Sequence, residues 1–417
     1  MPRRHLLLAL TALLLVTGIS AANEWPQFRG TGNGVAPIES LPIKWSEKEG
    51  IVWKATIPGV GHSSPVHDGK TIWMTTASPD GKHLGAVSVD AESGRVKREV
   101  TIFQPGTVEE IHHDNSYASP SPILWNGRVF AHFGTYGTAC LDVESGKILW
   151  SNNDYHIKHD GGPGSSPVLF EGKLILTYDG ADEQYVVALD AMTGKEVWKR
   201  TRSAPFRENP ITHRAFATPL LTQHESGWQL ISPAADQCHA YNPANGEELW
   251  HVRYVGFSTV PCPVADGNRA YLCTGFFKPE MISVALDGKG DVTESHVAWH
   301  AKGPIPDTPS PLLFEGKLYT VSNTGIAACH DAESGERVWV KRVGGNYSAS
   351  PMAIGGRILF CSEEGVTHII DPADNPPKLK SNKIDGAIKA TPAVLDSDLL
   401  LRTENALYRI CGADRDK

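Results

Sequence analysis

The sequence predicts an all-β chain folded as an eight-bladed β-propeller of four-stranded antiparallel blades. Three observations predict it. A hairpin pattern with fixed internal spacing recurs along the chain, a pattern of small residue, Pro and apolar strand occurs eight times, and the two ends of the chain carry complementary parts of one incomplete copy. Self-similarity at this period is what a ring of repeated sheets leaves in a sequence.

The hairpin pattern is plainest in LDVESGKILW, LDAMTGKEVW, YNPANGEELW and HDAESGERVW, where Asp142, Asp190, Asn242 and Asp331 each precede a glycine by four positions and Trp150, Trp198, Trp250 and Trp339 by eight. VDAESGRVKR keeps Asp90 and Gly94 but has Arg98 in the Trp place, and ALDGKGDVTESHVAW stretches the pattern so that Asp287 and Trp299 stand twelve apart. An Asp side chain can cap the turn N–H groups and Gly can take the left-handed conformation, so these aspartates read as turn caps rather than acids. Each Trp stands on the outgoing strand, where truncating a buried indole typically costs about 3–5 kcal/mol. Packing between neighbours is therefore assigned largely to that column.

The second pattern places Pro65, Pro122, Pro167, Pro219, Pro263, Pro311, Pro351 and Pro392 at intervals of 57, 45, 52, 44, 48, 40 and 41 residues, each leaving room for four short strands. The last copy supplies three strands, around Ala393, Leu400 and Leu407, and lacks a fourth. Residues 51–57, within GIVWKATIP and including Trp53, are expected to complete it and so remove the open edge.

Ahead of the ring, Arg3 and Arg4, an apolar run from Leu6 to Val16 and the small residues Ser20, Ala21 and Ala22 read as a secretory signal (1–22) cut before Asn23. Removing Arg3 and Arg4 takes the formal charge from -8 to -10. A retained anchor is the alternative, no cysteine suited to lipid attachment follows the apolar run, and no transmembrane segment is expected in the mature chain. Residues 23–50 are a lead-in segment, with GTGNGV read as flexible, and residues 51–417 are one propeller domain. The acidic balance gives no footprint for nucleic acid. Of the seven cysteines, Cys262 and Cys273 could form a local bridge, but most fall in columns that hold small apolar residues in other copies, so buried thiols are favoured.

The Asp-x-x-x-Gly-x-x-x-Trp copies resemble the pyrroloquinoline-quinone-type (PQQ-type) repeat of quinoprotein alcohol dehydrogenases and BamB-type envelope scaffold proteins. WPQFRGTGNG, NSYASPSP, GPGSSPVLFEGKLILTYDGAD and GGNYSASP more narrowly resemble exported PQQ-like propellers of planctomycetes and related bacteria. The resemblance implies a periplasmic or extracellular, envelope-associated protein, and it brings PQQ and calcium into view as cofactors. The dehydrogenases, however, carry adjacent cysteines, a carboxylate-held calcium and a catalytic Asp. This chain has no Cys-Cys dipeptide, and no calcium ligands or catalytic Asp can be placed in it. It also lacks HExxH, GxSxG, Walker and CxxC motifs.

Candidate functional residues lie on the loops entering the Pro strands, which open together on one face at the channel mouth. The first four carry PGVGHSS, VEEIHHDNSYAS, NNDYHIKHDGGPGSS and RSAPFRENPITHRAFA. They place His62, His112, His113, Asp114, Asn115, Tyr117, His156, His159, Asp160, His213 and Arg214 on one rim. His112, His113, Asp114 and His159 form a candidate divalent-metal set, since neutral imidazoles and a carboxylate are suitable donors. Arg202, Arg207 and Arg214 could receive an anion, while a polar rim with each His bonded to backbone is the plainer alternative. The expected function is a non-catalytic binding or scaffold protein, a monomer whose envelope protein, polymer or small ligand sits at this rim. A quinoprotein-like oxidoreductase or a metal-dependent enzyme using the rim histidines is the alternative.

Overall fold

The computed structural model describes residues 24–36, 38, 40–203 and 207–411; the expected signal (1–22) lies outside them. Eight antiparallel sheets follow one another around a channel. Each innermost strand begins directly after one of the eight repeat prolines: Val66–His67, Ile123–Trp125, Val168–Phe170, Leu220–His224, Val264–Ala265, Leu312–Phe314, Met352–Ile354 and Ala393–Leu395. These open blades 1 to 8 in order. Blade 8 closes as expected, with Ile51–Thr56 pairing antiparallel to Ala406–Ile410.

The small residue before each proline forms a ring about the channel. The backbone N–H of Ser64 donates to Ser121 Oγ, Ser121 to Ser166, Ser166 to Thr218, Cys262 to Ser310, Ser310 to Ser350 and Ser350 to Thr391, all at 2.9–3.0 Å. At these six seams one blade thus satisfies a buried donor on its neighbour, which an apolar residue here would leave unpaired. The series does not continue from Thr218 to Cys262, which offers no hydroxyl, or from Thr391 back to Ser64.

At the periphery the Trp and Gly columns are two halves of one lock. The indole N–H of Trp53 donates to Ala91 O at 3.1 Å, Trp150 to Ala191 O at 3.0 Å, Trp198 to Pro243 O at 3.2 Å and Trp299 to Ala332 O at 3.2 Å, each in the next blade. The ring lies over the neighbour's hairpin glycine, where a Cβ on Gly94 or Gly194 would come within 2.6 Å of it. Those glycines also hold φ near +70°. One residue type therefore answers two demands, a left-handed turn and a flat seat. Where Arg98 replaces Trp, its guanidinium Nε donates to Ser145 O at 2.9 Å and its stem covers Gly146.

The capping role holds for Asp90, Asp142, Asp190 and Asp331, whose Oδ1 accepts from the N–H and hydroxyl three residues on. It does not hold for Asp287. The inserted residues carry the turn away, Asp291 caps it through Thr293, and Asp287 lies 3.7 Å from His296. The insertion adds a short strand, Gly290–Asp291, parallel to Trp250–His251 on the edge of blade 4, and Trp250, fully buried, donates instead to Gln229 Oε1. Trp339 is likewise buried. The cysteines Cys140, Cys238, Cys262, Cys273, Cys329 and Cys361 are buried free thiols, and Cys411 is free and half-buried, so the Cys262–Cys273 bridge is not formed.

The reading of GTGNGV as flexible is corrected. Residues 24–36 cross the end of the channel where the inner strands finish. Trp25 pairs with His67 of blade 1, Pro26 O accepts from Leu124 of blade 2, Arg29 donates to Pro311 O of blade 6, and Val35–Ala36 join the inner strand of blade 7. Arg29 is wholly buried. The glycines are there for close approach, since a Cβ on Gly30 would strike Trp25 and one on Gly34 would strike Arg29.

Candidate functional site

The opposite end of the channel carries the long loops, and those of blades 2, 3 and 4 are tied to one another. Asn115 donates through Nδ2 to Gly161 O at 2.7 Å and Pro163 O at 3.1 Å, and the N–H of His112 donates to Gly161 O at 3.2 Å. Arg214 donates to Asp160 O, lies over the Phe216 ring, and its carbonyl accepts from Ser258 N. Arg207 pairs with Asp236 and lies over Phe257. Tyr117 turns inward, its hydroxyl donating to Glu109 O at 2.7 Å. Three loops from separate blades thus form one surface held by backbone acceptors.

The histidines on this surface do not meet at one point. His112, His113 and Asp114 come together, with donor atoms within 4.8 Å of one another on an exposed turn. His159 stands apart from them. It is buried, its Nε2 accepts from Thr135 N–H at 3.0 Å, and burial lowers its pKa to about 4. His156 Nδ1 lies 3.1 Å from Thr135 O, and His213 Nε2 lies 2.6 Å from Arg207 O. His62 belongs to another neighbourhood, the seam between blades 8 and 1, where burial first and then the charges of Lys389 and Arg402 lower its pKa to about 3.

Sequence reasoning missed two features. Beside the blade 4 loop, Val255, Phe276 and Phe277 are exposed at 81%, 49% and 74%, and Phe276 packs edge-on against both Phe257 and Phe277. Arg402 was also missed. Strand register aligns it with Thr75, His132, Thr177, Pro233, Cys273, Val321 and Cys361, so it is the single charged residue in an eightfold column. Comparing the eight second strands position by position would have found it.

The donor set answers whether calcium and quinone fit. Among the described residues, the one group of three or more His, Cys, Asp or Glu able to share an ion is His112, His113 and Asp114, on the outside of the loops. The charged groups near the channel mouth at the 8/1 seam include Lys389 and Arg402, which repel a cation. These residues do not fit a calcium-held quinone. Among the described residues no helix is long and apolar enough to cross a membrane.

Comparison with known proteins agrees with the fold. A family model described as outer membrane protein assembly factor BamB matches residues 38–200 and 139–374. The dehydrogenase subunit of a quinone-dependent alcohol dehydrogenase from Komagataeibacter europaeus is 27% identical over 215 residues, covering 49% of this chain and 27% of that protein. BamB of Moranella endobia is 26% identical over 190 residues, covering 45% and 43%. The match thus spans less than half the length of either relative, and the two differ in kind. Among solved structures, a europium-containing methanol dehydrogenase superposes with a TM-score of 0.69 at 12% identity, covering 92% of this chain and 89% of the other. BamB from Moraxella catarrhalis gives 0.59 at 14% identity, covering 86% and 99%. Repeat, closure and family match agree: the chain belongs to the BamB family of PQQ-like repeat β-propellers.

Proposed function

We propose that this chain is an exported, non-catalytic binding or scaffold module of the periplasm or cell envelope, engaging a protein partner through its long-loop face. The observation that carries this reading is the interlocking of the blade 2, 3 and 4 loops through Asn115, Arg214 and the Gly161 carbonyl, beside the exposed aromatics Phe276 and Phe277. A pre-formed surface with an apolar patch and a polar surround suits recognition. His159, His156 and His213 are engaged with backbone atoms. The BamB relatives, named as assembly factors, are consistent with an envelope partner.

The test is site-specific photo-crosslinking in the source cells. A crosslinker at Phe277 or His113 is expected to capture a discrete envelope protein, and one at Lys195, on the hairpin face, is expected to capture none. Dye-linked alcohol oxidation by the purified protein on addition of PQQ and calcium would overturn the reading. One observation favours a second reading, a divalent-metal site: the grouping of His112, His113 and Asp114.

A further inference from the structure

Between blades 4 and 5 the loop face projects a finger of aromatic rings. The N–H of Phe276 donates to Phe257 O at 2.9 Å, and the Phe276 ring packs edge-on against Phe257 and Phe277 with centroids 5.8 Å from each. Phe277 holds φ at +90°, a conformation that a bulky residue keeps only where its surroundings impose it. Gly275 permits the close approach at its base, since a Cβ there would stand 2.6 Å from Thr259 Oγ1. The backbone is thus held so that Phe277 and Val255 stand 74% and 81% exposed. An apolar patch fixed in water with polar residues about it is the form of an interaction site.

Charge around the patch indicates what it meets. The patch is itself balanced: Arg207, over the Phe257 ring, pairs with Asp236, and the exposed Glu208 and Lys278 are of opposite sign. The wider face is acidic. Glu109 and Glu110 on the blade 2 loop, Asp182 and Glu183 in blade 3, and Glu363 and Glu364 in blade 7 lie at this end, where Lys158 and Lys389 face them. Burial raises the Glu109 pKa, a backbone bond from His159 opposes the rise, and Asp160 and Asp182 add to it, as carboxylates gathered on one surface do. The hairpin end alternates acid with base instead, as in Glu171, Gly172 and Lys173 or Glu315, Gly316 and Lys317.

We propose that the protein engaged by the loop face docks through a basic, apolar segment, whose Arg or Lys side chains are drawn in by the carboxylates and rest on the Phe276 and Phe277 rings while its apolar residues cover the patch. The acidic surround steers a cationic partner over a distance of about a Debye length, and the aromatic faces attract its charge at contact. This inference rests on the loop-face reading and names the chemistry of the partner.

The test is fluorescence anisotropy of two labelled synthetic hexapeptides, one alternating Arg with Leu and the other Glu with Leu, titrated with the purified chain. Saturable binding of the Arg peptide is expected, weakening severalfold as ionic strength rises from about 0.05 to about 0.5 M. Phe277→Ser should weaken it at least about fivefold, and Glu110→Gln with Glu183→Gln and Glu208→Gln at least about threefold. These side chains are exposed, so the variants keep the fold. Equal or tighter binding of the Glu peptide would overturn the proposal, as would Arg-peptide binding unchanged in either variant. So would Phe277-dependent sedimentation with phosphatidylglycerol vesicles, or Phe277-dependent self-association of the chain. A crosslinker at Phe277 that captures a discrete envelope protein while the Arg peptide fails to bind would remove the basic partner and leave the loop-face reading standing.

Discussion

Arg202 and Arg402 occupy two seams of one ring, and the contrast shows what a carboxylate does in a propeller. At the 3/4 seam the ion pair is sealed, with side-chain exposures of 0% and 2%. Burial disfavours the charge on Arg202, but the Asp179 carboxylate outweighs it and holds the guanidinium protonated. At the 8/1 seam burial acts alone, and Arg402 is held only by Ser63. The first seam is neutralised by a carboxylate of the chain itself, while at the second the described residues offer Arg402 only the Ser63 oxygens.

The largest effect should come from breaking the completed seam. Asp179→Ala leaves Arg202 buried and unpaired, and removing one partner of a buried pair costs about 3–5 kcal/mol. Arg402→Met removes a charge that has no partner. The lost bonds to Ser63, worth about 1.5–3 kcal/mol, are offset by relief of desolvation, so stability should move by less than about 1.5 kcal/mol. Urea midpoints measured in chloride buffer with unchanged m-values would show the contrast. Equal losses in the two variants would mean that Arg402 has a partner after all.

pH sharpens the comparison at smaller scale. His62, beside Arg402 and Lys389, has its folded pKa lowered to about 3 by burial and then by those two charges. The unfolded ring titrates at about 6.5, so between these values the unfolded state binds more protons. Its contribution is fully present above about pH 6.5 and is lost as pH falls, by up to about 1.4 kcal/mol per pH unit. His62→Gln should flatten the stability profile between pH 6.5 and 5 by that amount. The counterpart near Arg202 is His239, lowered to about 4 by burial while its hydrogen bond to Glu248 opposes the shift. The slope removed by His239→Gln should therefore end nearer pH 4. A profile unaltered by His62→Gln would show that this ring is not held neutral at the seam.

The ring was legible in the sequence because its contacts recur: a capped turn, a glycine seat and an indole must appear once per blade for neighbours to lock. Closure by residues 51–57 was legible for the same reason, as a repeat missing its last strand. The site was less legible because loop convergence depends on distances between blades. Asn115 reaches Gly161 across 46 residues of sequence, and His159, alike in kind to His112, turns to a backbone N–H instead. LLLRTEN reads as an ordinary strand end, and only alignment in register exposes Arg402 as the odd member. The glycines of GTGNG suggested freedom where they serve close packing, because a sequence does not distinguish a glycine needed for motion from one needed for contact.

The smallest effect belongs to a third gathering of charge, which differs from both seams in being exposed. His112 and His113 have side-chain exposures of 59% and 81%, and Asp114 Oδ2 lies 3.6 and 3.4 Å from their rings. Water screens such contacts, so their net worth is small. His112→Ala with His113→Ala should change stability by no more than about 0.5 kcal/mol, as for surface substitutions that remove no cap or core contact. The same double variant separates a metal site from a polar turn. If the cluster holds zinc, the wild type should gain stability as zinc is titrated in, because a ligand that binds only the folded state stabilises it, and the variant should not. A wild type whose melting temperature does not respond to zinc would leave His112, His113 and Asp114 as a solvated turn, braced by the bond from His112 N–H to Gly161 O. That outcome would also leave the sharper contrast of charge at the 8/1 seam, where Arg402 is buried and water does not screen it.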